Sequence, residues 1–317
     1  MNVRLPNLFA KAIAWTAVAL VAAGPLGIVS PSLALAEDKA QEQAKDDKAN
    51  EEAKPQEPAK PLIPDKNLEA AVRAAVYEKR NNQEPLTEDD LRKVFILEAD
   101  NRGIKDLTGL EKCTNLLLLK AGGNQIEDLA PLAGLVNLQS LDLAGNQVKD
   151  ISPLAKLEKL QYLHLADNQI ENISALSGLN RLAALYLSNN KIKDIGPLAK
   201  LEKLASLYLD GNGLEKIDAI TSLDRLSTLD ISRNAISDLK PLGTQTQLRL
   251  LLAQQNQIVD LAPLVALCKA DSEGERRLAP FLRVYLAGNP LSDKAKNEQV
   301  KTLQSFGTRV MLTNDES

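Results

Sequence analysis

The chain has 317 residues, 44% hydrophobic and 25% charged, with a formal net charge of −4. Those proportions belong to a globular protein with ample core, and the slight acidity speaks against a nucleic-acid partner. The first 36 residues stand apart. Arg4 and Lys11 precede an apolar run from Ala12 to Val29, and Ala34–Leu35–Ala36 ends it just before Glu37. A basic start, an apolar middle and an A-x-A exit read as a secretory signal peptide, residues 1–36, cut after Ala36. The rival reading is an uncleaved membrane anchor, against which the Gly24–Pro25 break and the A-x-A exit both argue. No later segment approaches the length of a membrane span, so no membrane insertion is expected after cleavage. Removal of the signal leaves 36 basic against 42 acidic residues, a charge of −6, and takes away Trp15, the only tryptophan. No cysteine stands at the cut to take a lipid, and the C-terminal MLTNDES carries no anchoring tail, so the expected product is exported and soluble, secreted or periplasmic.

Residues 37–61, EDKAQEQAKDDKANEEAKPQEPAKP, contain no large apolar side chain. A stretch that buries nothing cannot offset its ordering entropy, and a disordered linker is expected. Residues 62–93 then read as a helical N-terminal cap. Leu68, Ala71, Val72, Ala75 and Val76 recur at helical spacing in DKNLEAAVRAAVYEKR, and LTEDDLRKV has the form of a second, short capped helix.

From residue 94 the chain repeats. Asparagine recurs at 124, 146, 168, 190, 212, 234 and 256, always 22 residues apart. Around Asn168 stand Leu160, Leu163, Leu165 and Ile170; around Asn212 stand Leu204, Leu207, Leu209 and Leu214. This is the L-x-x-L-x-L-x-x-N-x-L pattern of a leucine-rich-repeat solenoid, and it specifies an α/β fold with a curved parallel sheet. The L-x-L core alternates as a short strand with one buried face. An asparagine amide both donates and accepts, so stacked asparagines can satisfy the backbone groups that the following bend leaves unpaired. In DISPLAKL, Ser152 and Pro153 look like an N-cap and first residue of a turn, and the few residues left predict 3₁₀-like outer turns rather than long helices. About nine coils span residues 94–291; the first is atypical, with Arg102 at the asparagine position, and the last ends at Asn289. Residues 292–317 form a C-terminal cap: a helix over SDKAKNEQVKTLQSFG with Val300, Leu303 and Phe306 inward, stopped by Gly307, and RVML as a possible last strand.

The phrasing NQIxDIxPLxxLxxLxxLxL, clearest in LAGNQVKDISPLAKLEKLQYLHLADNQI (residues 143–170), resembles the internalin-type leucine-rich repeats of bacterial exported proteins. The resemblance covers roughly residues 94–291. It implies a binding module that grips its partner on the concave sheet. The chain differs from wall-anchored members of that family in lacking a C-terminal sorting signal, so attachment to host cells is not carried over.

On each strand the residues between the buried leucines face outward. The central outward column is Glu98, Lys120, Asp142, His164, Tyr186, Tyr208, Asp230, Leu252 and Tyr285, and the column two residues earlier includes Tyr162 and Leu250. Four of the five tyrosines fall in these two columns. An exposed tyrosine does little for a monomer and is a favoured interface anchor, so a partner site is expected on Tyr162, His164, Tyr186 and Tyr208. Asp142, Asp210 and Asp230 lie close by, and Leu250, Leu252 and Tyr285 extend the site. The plainer reading is that tyrosine suits strands and one ring covers the next. The expected partner is a protein, with a glycan or a structural role lacking any ligand as alternatives. His164 is the only histidine. It could be drawn into a triad with Asp142 and Ser188, but an open sheet with no glycine-rich turn offers neither an oxyanion hole nor exclusion of water. One histidine among scattered aspartates also lacks metal-ligand spacing, so neither catalysis nor any metal or cofactor is expected. The neighbouring carboxylate is expected to favour a protonated His164 and to make binding pH-dependent.

Cys113 takes a core leucine position, whereas Cys268 is expected to be more exposed and available to link two chains. Seven coils, about 34 Å, separate them, too far for a disulfide within the chain. The step from Asn256 to Asn289 is 33 residues, and the extra 11 fall around Lys269–Pro280. A charged loop projecting from the sheet edge beside the binding face is expected there, with a lengthened outer helix as the other reading.

Overall fold

The structure, a computed structural model, describes residues 61–313. The signal-peptide and linker expectations, apart from Pro61, lie outside the described residues. Ten three-residue strands form one parallel sheet in sequence order. They are β1 Ile96–Glu98, β2 Leu118–Lys120, β3 Ser140–Asp142, β4 Tyr162–His164, β5 Ala184–Tyr186, β6 Ser206–Tyr208, β7 Thr228–Asp230, β8 Leu250–Leu252, β9 Arg283–Tyr285 and β10 Arg309–Met311. The register never slips: each residue pairs with its equivalent one repeat away, as Leu141 with Leu163 and Leu163 with Leu185. Short 3₁₀ turns such as Ser152–Lys156 and Gly196–Lys200 return the chain along the outer side. The sheet is curved and unclosed, the expected leucine-rich-repeat solenoid. Leucines and isoleucines from strands and turns fill the space between in one continuous core, from Ile63 to Leu303.

The asparagine column acts as the sequence suggests. Asn168 Nδ2 donates to the carbonyls of Leu143 on the preceding coil and Leu165 on its own, while Oδ1 accepts from the Val148 N–H. Asn190 repeats the arrangement one coil on, with Leu165, Leu187 and Ile170. Asn289 joins the column despite the longer step before it, accepting from Ile258 and donating to Ala253 and Leu286. The bend before each asparagine has its own requirement. The residue immediately preceding it, from Gly123 through Asp167, Asn189 and Arg233 to Gly288, is left-handed, with φ between 53° and 77°, and Asn101 does the same before Arg102 in the first coil. That explains the recurrence of glycine, asparagine and aspartate there.

The outer turns depart from expectation in one respect. Ser152 is not the N-cap. It is the first residue of its turn, and the Asp150 carboxylate accepts its N–H. Asp128, Asn172, Asp194, Asp238 and Asp260 accept from the residue two positions on in the same way. An Asx side chain reaches the backbone two residues on more readily than serine does, so the aspartate of the repeat, one residue before the N-cap Ile151, holds the entry to the turn.

Both ends are covered. Helix α1, Lys66–Ala75, buries Leu68, Ala71 and Val72; it stops at an extended Val76 rather than continuing, and Tyr77–Lys79 forms a 3₁₀ turn. One Asp65 carboxylate oxygen caps α1 at Asn67 and Leu68, and the other accepts from Lys105 and Asp106, tying the cap to the first coil. Helix α2, Glu88–Arg92, has a complete capping box between Thr87 and Asp90. The eleven extra residues do not make a projecting loop. They lengthen an outer turn into helix α3, Ala262–Glu273, packed on the turn Lys240–Thr244. Asp271 then accepts the N–H groups of Arg277, Leu278 and Ala279, holding the return to the sheet. A π turn, Ala295–Gln299, leads into helix α4, Val300–Ser305, and β10 follows. Val300 and Leu303 are buried, Phe306 packs partly against the core, and Gly307 breaks the helix at φ 94°. Cys268 is fully buried rather than exposed, its Sγ 3.5 Å from Thr308 Oγ1 beneath this cap. It is not available to link chains. Cys113 is buried as expected, and both thiols are free. No helix among the described residues is long and apolar enough to cross a membrane.

Candidate functional site

The strand register assembles the candidate site. It places Asp142 beside His164, His164 beside Tyr186, Tyr186 beside Tyr208, Tyr208 beside Asp230, and Asp230 beside Leu252. Tyr162 joins from the neighbouring column. The aromatic rings form an unbroken run: Tyr162 to Tyr186 at 5.4 Å, His164 to Tyr186 at 4.9 Å, and Tyr186 to Tyr208 at 4.6 Å between centroids. The last pair is stacked, with planes only 10° apart. Because this separation matches the spacing of neighbouring strands, about 4.8 Å, the rings stand on the sheet like adjacent pages. Tyr186 and Tyr208 cover a face of one another, while Tyr162 and His164 lean on Tyr186 at 47° and 55°.

This mutual cover corrects one expectation. Tyr186 is only 9% exposed, and Tyr162 and Tyr208 are half-buried, so the tyrosines are not freely projecting anchors. Burial raises the phenols of all three; that of Tyr208, with added repulsion from Tyr186 and Asp230, is pushed up to about 12. They are neutral hydrogen-bonding groups at any ordinary pH. Tyr285 sits two strands beyond Asp230, flanked by Leu252 and Met311, and does not join the ring cluster. Leu250 and Leu252 are half-buried between.

The carboxylates divide into three situations. Burial works against ionising Asp142, but His164 together with the Ala144 N–H and Lys120 outweighs it and holds the group below its usual value. An ionised carboxylate only accepts, so His164 Nδ1–H donates to Asp142 Oδ2 at 3.2 Å. Among the described residues no hydrogen bond joins His164 to Ser188, and the triad has no third member. Asp210, just past β6, is ion-paired to Arg233, whose guanidinium also donates to Asn189 Oδ1 at 2.7 Å. Asp230 has no such partner. Burial foremost, and Asp210 nearby, push it up to about 7, with Ser232 and Arg233 opposing. Among the described residues no group of three or more histidine, cysteine or acidic side chains is placed to hold a metal ion.

Arg233 is the participant that the strand pattern does not reveal, because it stands outside the two columns, at the left-handed position before Asn234. Counting in sequence was sufficient to find it: it lies three residues beyond Asp230 and 23 beyond Asp210, one coil on.

A family profile for leucine-rich repeats, described as two copies per match, fits residues 136–178 and 180–224. Among solved structures, internalin C2 of Listeria monocytogenes is 32% identical, with a TM-score of 0.57 over 80% of this chain and 95% of that one. An internalin, InlF, of the same organism is 26% identical, with a TM-score of 0.57 over 80% and 92%. The functional domain of InlJ, also from Listeria monocytogenes and including a cysteine ladder, is 26% identical, with a TM-score of 0.63 over 77% and 54%. No curated protein sequence matches the chain.

Proposed function

Because the chain belongs to the internalin-type family of bacterial leucine-rich-repeat proteins, we propose that it is an exported binding module that takes a protein partner across its concave sheet. The observation that carries this is the unbroken aromatic run from Tyr162 through His164 and Tyr186 to Tyr208, on the face a solenoid presents to ligands. Rings packed against one another offer rigid, amphipathic contact at little entropic cost, the character of a protein-binding hot region. Asp142, Asp210, Asp230, Leu250, Leu252 and Tyr285 border it as a mixed polar and apolar rim. A protein is favoured over a glycan because Tyr186, at the centre of the run, is almost wholly covered by its neighbours and offers no open face on which a sugar ring could pack. Export rests on the signal-like residues 1–36. The function is binding rather than catalysis, the Asp142–His164 pair being a positioned contact without a nucleophile.

The test is capture from the surface and secreted fraction of the source cells with the parent chain and with Tyr186→Ser/Tyr208→Ser side by side, both confirmed folded by circular dichroism. A partner retained by the parent and lost by the variant is expected. The same partner on both would move the site off the concave sheet.

A further inference from the structure

The central column changes height abruptly after Tyr208. The next two residues are Asp230, a short side chain, and Leu252, on strands β7 and β8. One face of the Tyr208 ring is covered by Tyr186; the other looks along the solenoid over Asp230. Two strand spacings, about 9.6 Å, separate the backbones carrying Tyr208 and Leu252, and the short Asp230 side chain is all that the central column puts between them. The gap so defined has a tyrosine face for its first wall, an aliphatic side chain for its second and a carboxylate for its floor.

That floor has no countercharge. The nearest base, Arg233, is held by Asp210 and Asn189. Lys120, further along the column, is paired with Glu98, and His164 with Asp142. The Ser232 N–H donates to Asp230 Oδ1 at 2.9 Å, and the Ser232 hydroxyl and the more distant Arg233 oppose the effect of burial without offsetting it. The groups beside Asp230 are Tyr208 and Asp210 from the β6 side, Leu252 on β8, and Arg233, whose charge is already engaged by Asp210.

From this geometry we infer that the slot between Tyr208 and Leu252 is the receptor for an arginine side chain of the partner, its guanidinium laid on the free face of Tyr208 and hydrogen-bonded to Asp230. A guanidinium is the planar cation that both stacks on an aromatic ring and donates in a fork to a carboxylate. The inference rests on the concave-face reading and deepens it: the partner inserts a basic residue at the seventh strand. Since the floor must be ionised to take the cation and is pushed up to about 7 in the free protein, binding has to weaken as the pH falls below that value.

The experiment uses the full chain with ring-labelled tyrosine, the Tyr208 signal being assigned with Tyr208→Phe. The probes are Nα-acetyl-arginine amide, its neutral citrulline counterpart and Nα-acetyl-glutamate amide. The arginine probe is expected to shift the Tyr208 ring with a dissociation constant of about 1–50 mM, as suits a single desolvated cation–π contact with an ion pair. Citrulline should bind at least about fivefold more weakly, Asp230→Asn should lose arginine affinity to the same degree, and affinity should fall about tenfold per pH unit below 7. Asp230→Asn should fold, because it removes a charge that is costly to bury. Equal shifts from arginine and citrulline, undiminished arginine binding by Asp230→Asn, stronger binding of the glutamate probe, or no Tyr208 shift up to about 100 mM would each overturn the slot. None of these touches the concave-face reading, which stands or falls with loss of the partner on Tyr186→Ser/Tyr208→Ser.

Discussion

Asp230 is the residue at which fold and function pull apart. A half-buried carboxylate with no base beside it is a poor choice for stability. The sign follows from its raised value. Between the ordinary carboxylate range, about 3.8, and about 7, the folded chain holds a proton that the unfolded chain gives up, so this group's contribution to stability falls as pH rises through that window. Above 7 the full cost is present. Asp230→Asn is uncharged throughout and keeps an acceptor for the Ser232 N–H. It should therefore raise stability at pH 8, by on the order of 1–3 kcal/mol, or several degrees in Tm, and match the parent near pH 4. Thermal melts at the two pH values check this; a variant that melts below the parent at pH 8 would mean that Asp230 holds the sheet together rather than waiting for a ligand. Asp142 illustrates the opposite case, a carboxylate of the same column that His164 already compensates.

At the scale of the element, each coil depends on an asparagine that belongs to two coils at once. Asn190→Ala would leave the interior Ile170 N–H without a partner and take one of two donors from each of the Leu165 and Leu187 carbonyls, which keep Asn168 and Asn212. One orphaned buried N–H costs about 1–3 kcal/mol and the two weakened carbonyls add to it, so a loss of roughly 2–4 kcal/mol is expected from urea unfolding, and a loss below about 1 kcal/mol would show that water substitutes for the amide. This ladder was legible in the residues because a 22-residue period with invariant apolar offsets leaves only one way to stack. The capping helices were legible too, from Leu68, Val72, Val300 and Leu303 at helical spacing. Other features were not. Whether Lys269–Pro280 would loop out or extend a helix depended on an anchor 40 residues further on: α3 lies under the C-terminal cap, where Cys268 meets Thr308. Cys268 was misjudged for the same reason, since its cover comes from another element. For the candidate site, strand alternation was enough to select the residues that face outward, and the register brought them together. Their exposure was not readable, because it depends on which rotamers let Tyr162, Tyr186 and Tyr208 lean on one another.

At the scale of the whole molecule, the solenoid is a stack in which each coil meets only its neighbours, so its ends should open before its middle. The two buried thiols make that testable, because they sit at opposite ends. Burial, with Glu111 adding, pushes the Cys113 thiol up to about 12, and burial raises that of Cys268 despite the contact with Thr308. Neither should react while the chain is closed, and both should react in denaturant. Leu303 is fully buried in α4, where it helps hold the C-terminal cap over Cys268. Leu303→Ala removes that packing at a cost of about 2–5 kcal/mol. If opening propagates coil by coil from the end, the variant should label at Cys268 roughly a hundredfold faster than the parent, while Cys113, seven coils away, keeps its slow rate. Mass spectrometry of peptides after timed alkylation reads the two sites separately. Equal acceleration at both would mean that the stack opens as one cooperative unit, with the central face no better protected than the ends. The coil-by-coil outcome would place Tyr186, Tyr208 and Asp230 in the stretch that opens last, where a binding surface keeps its shape while the ends breathe.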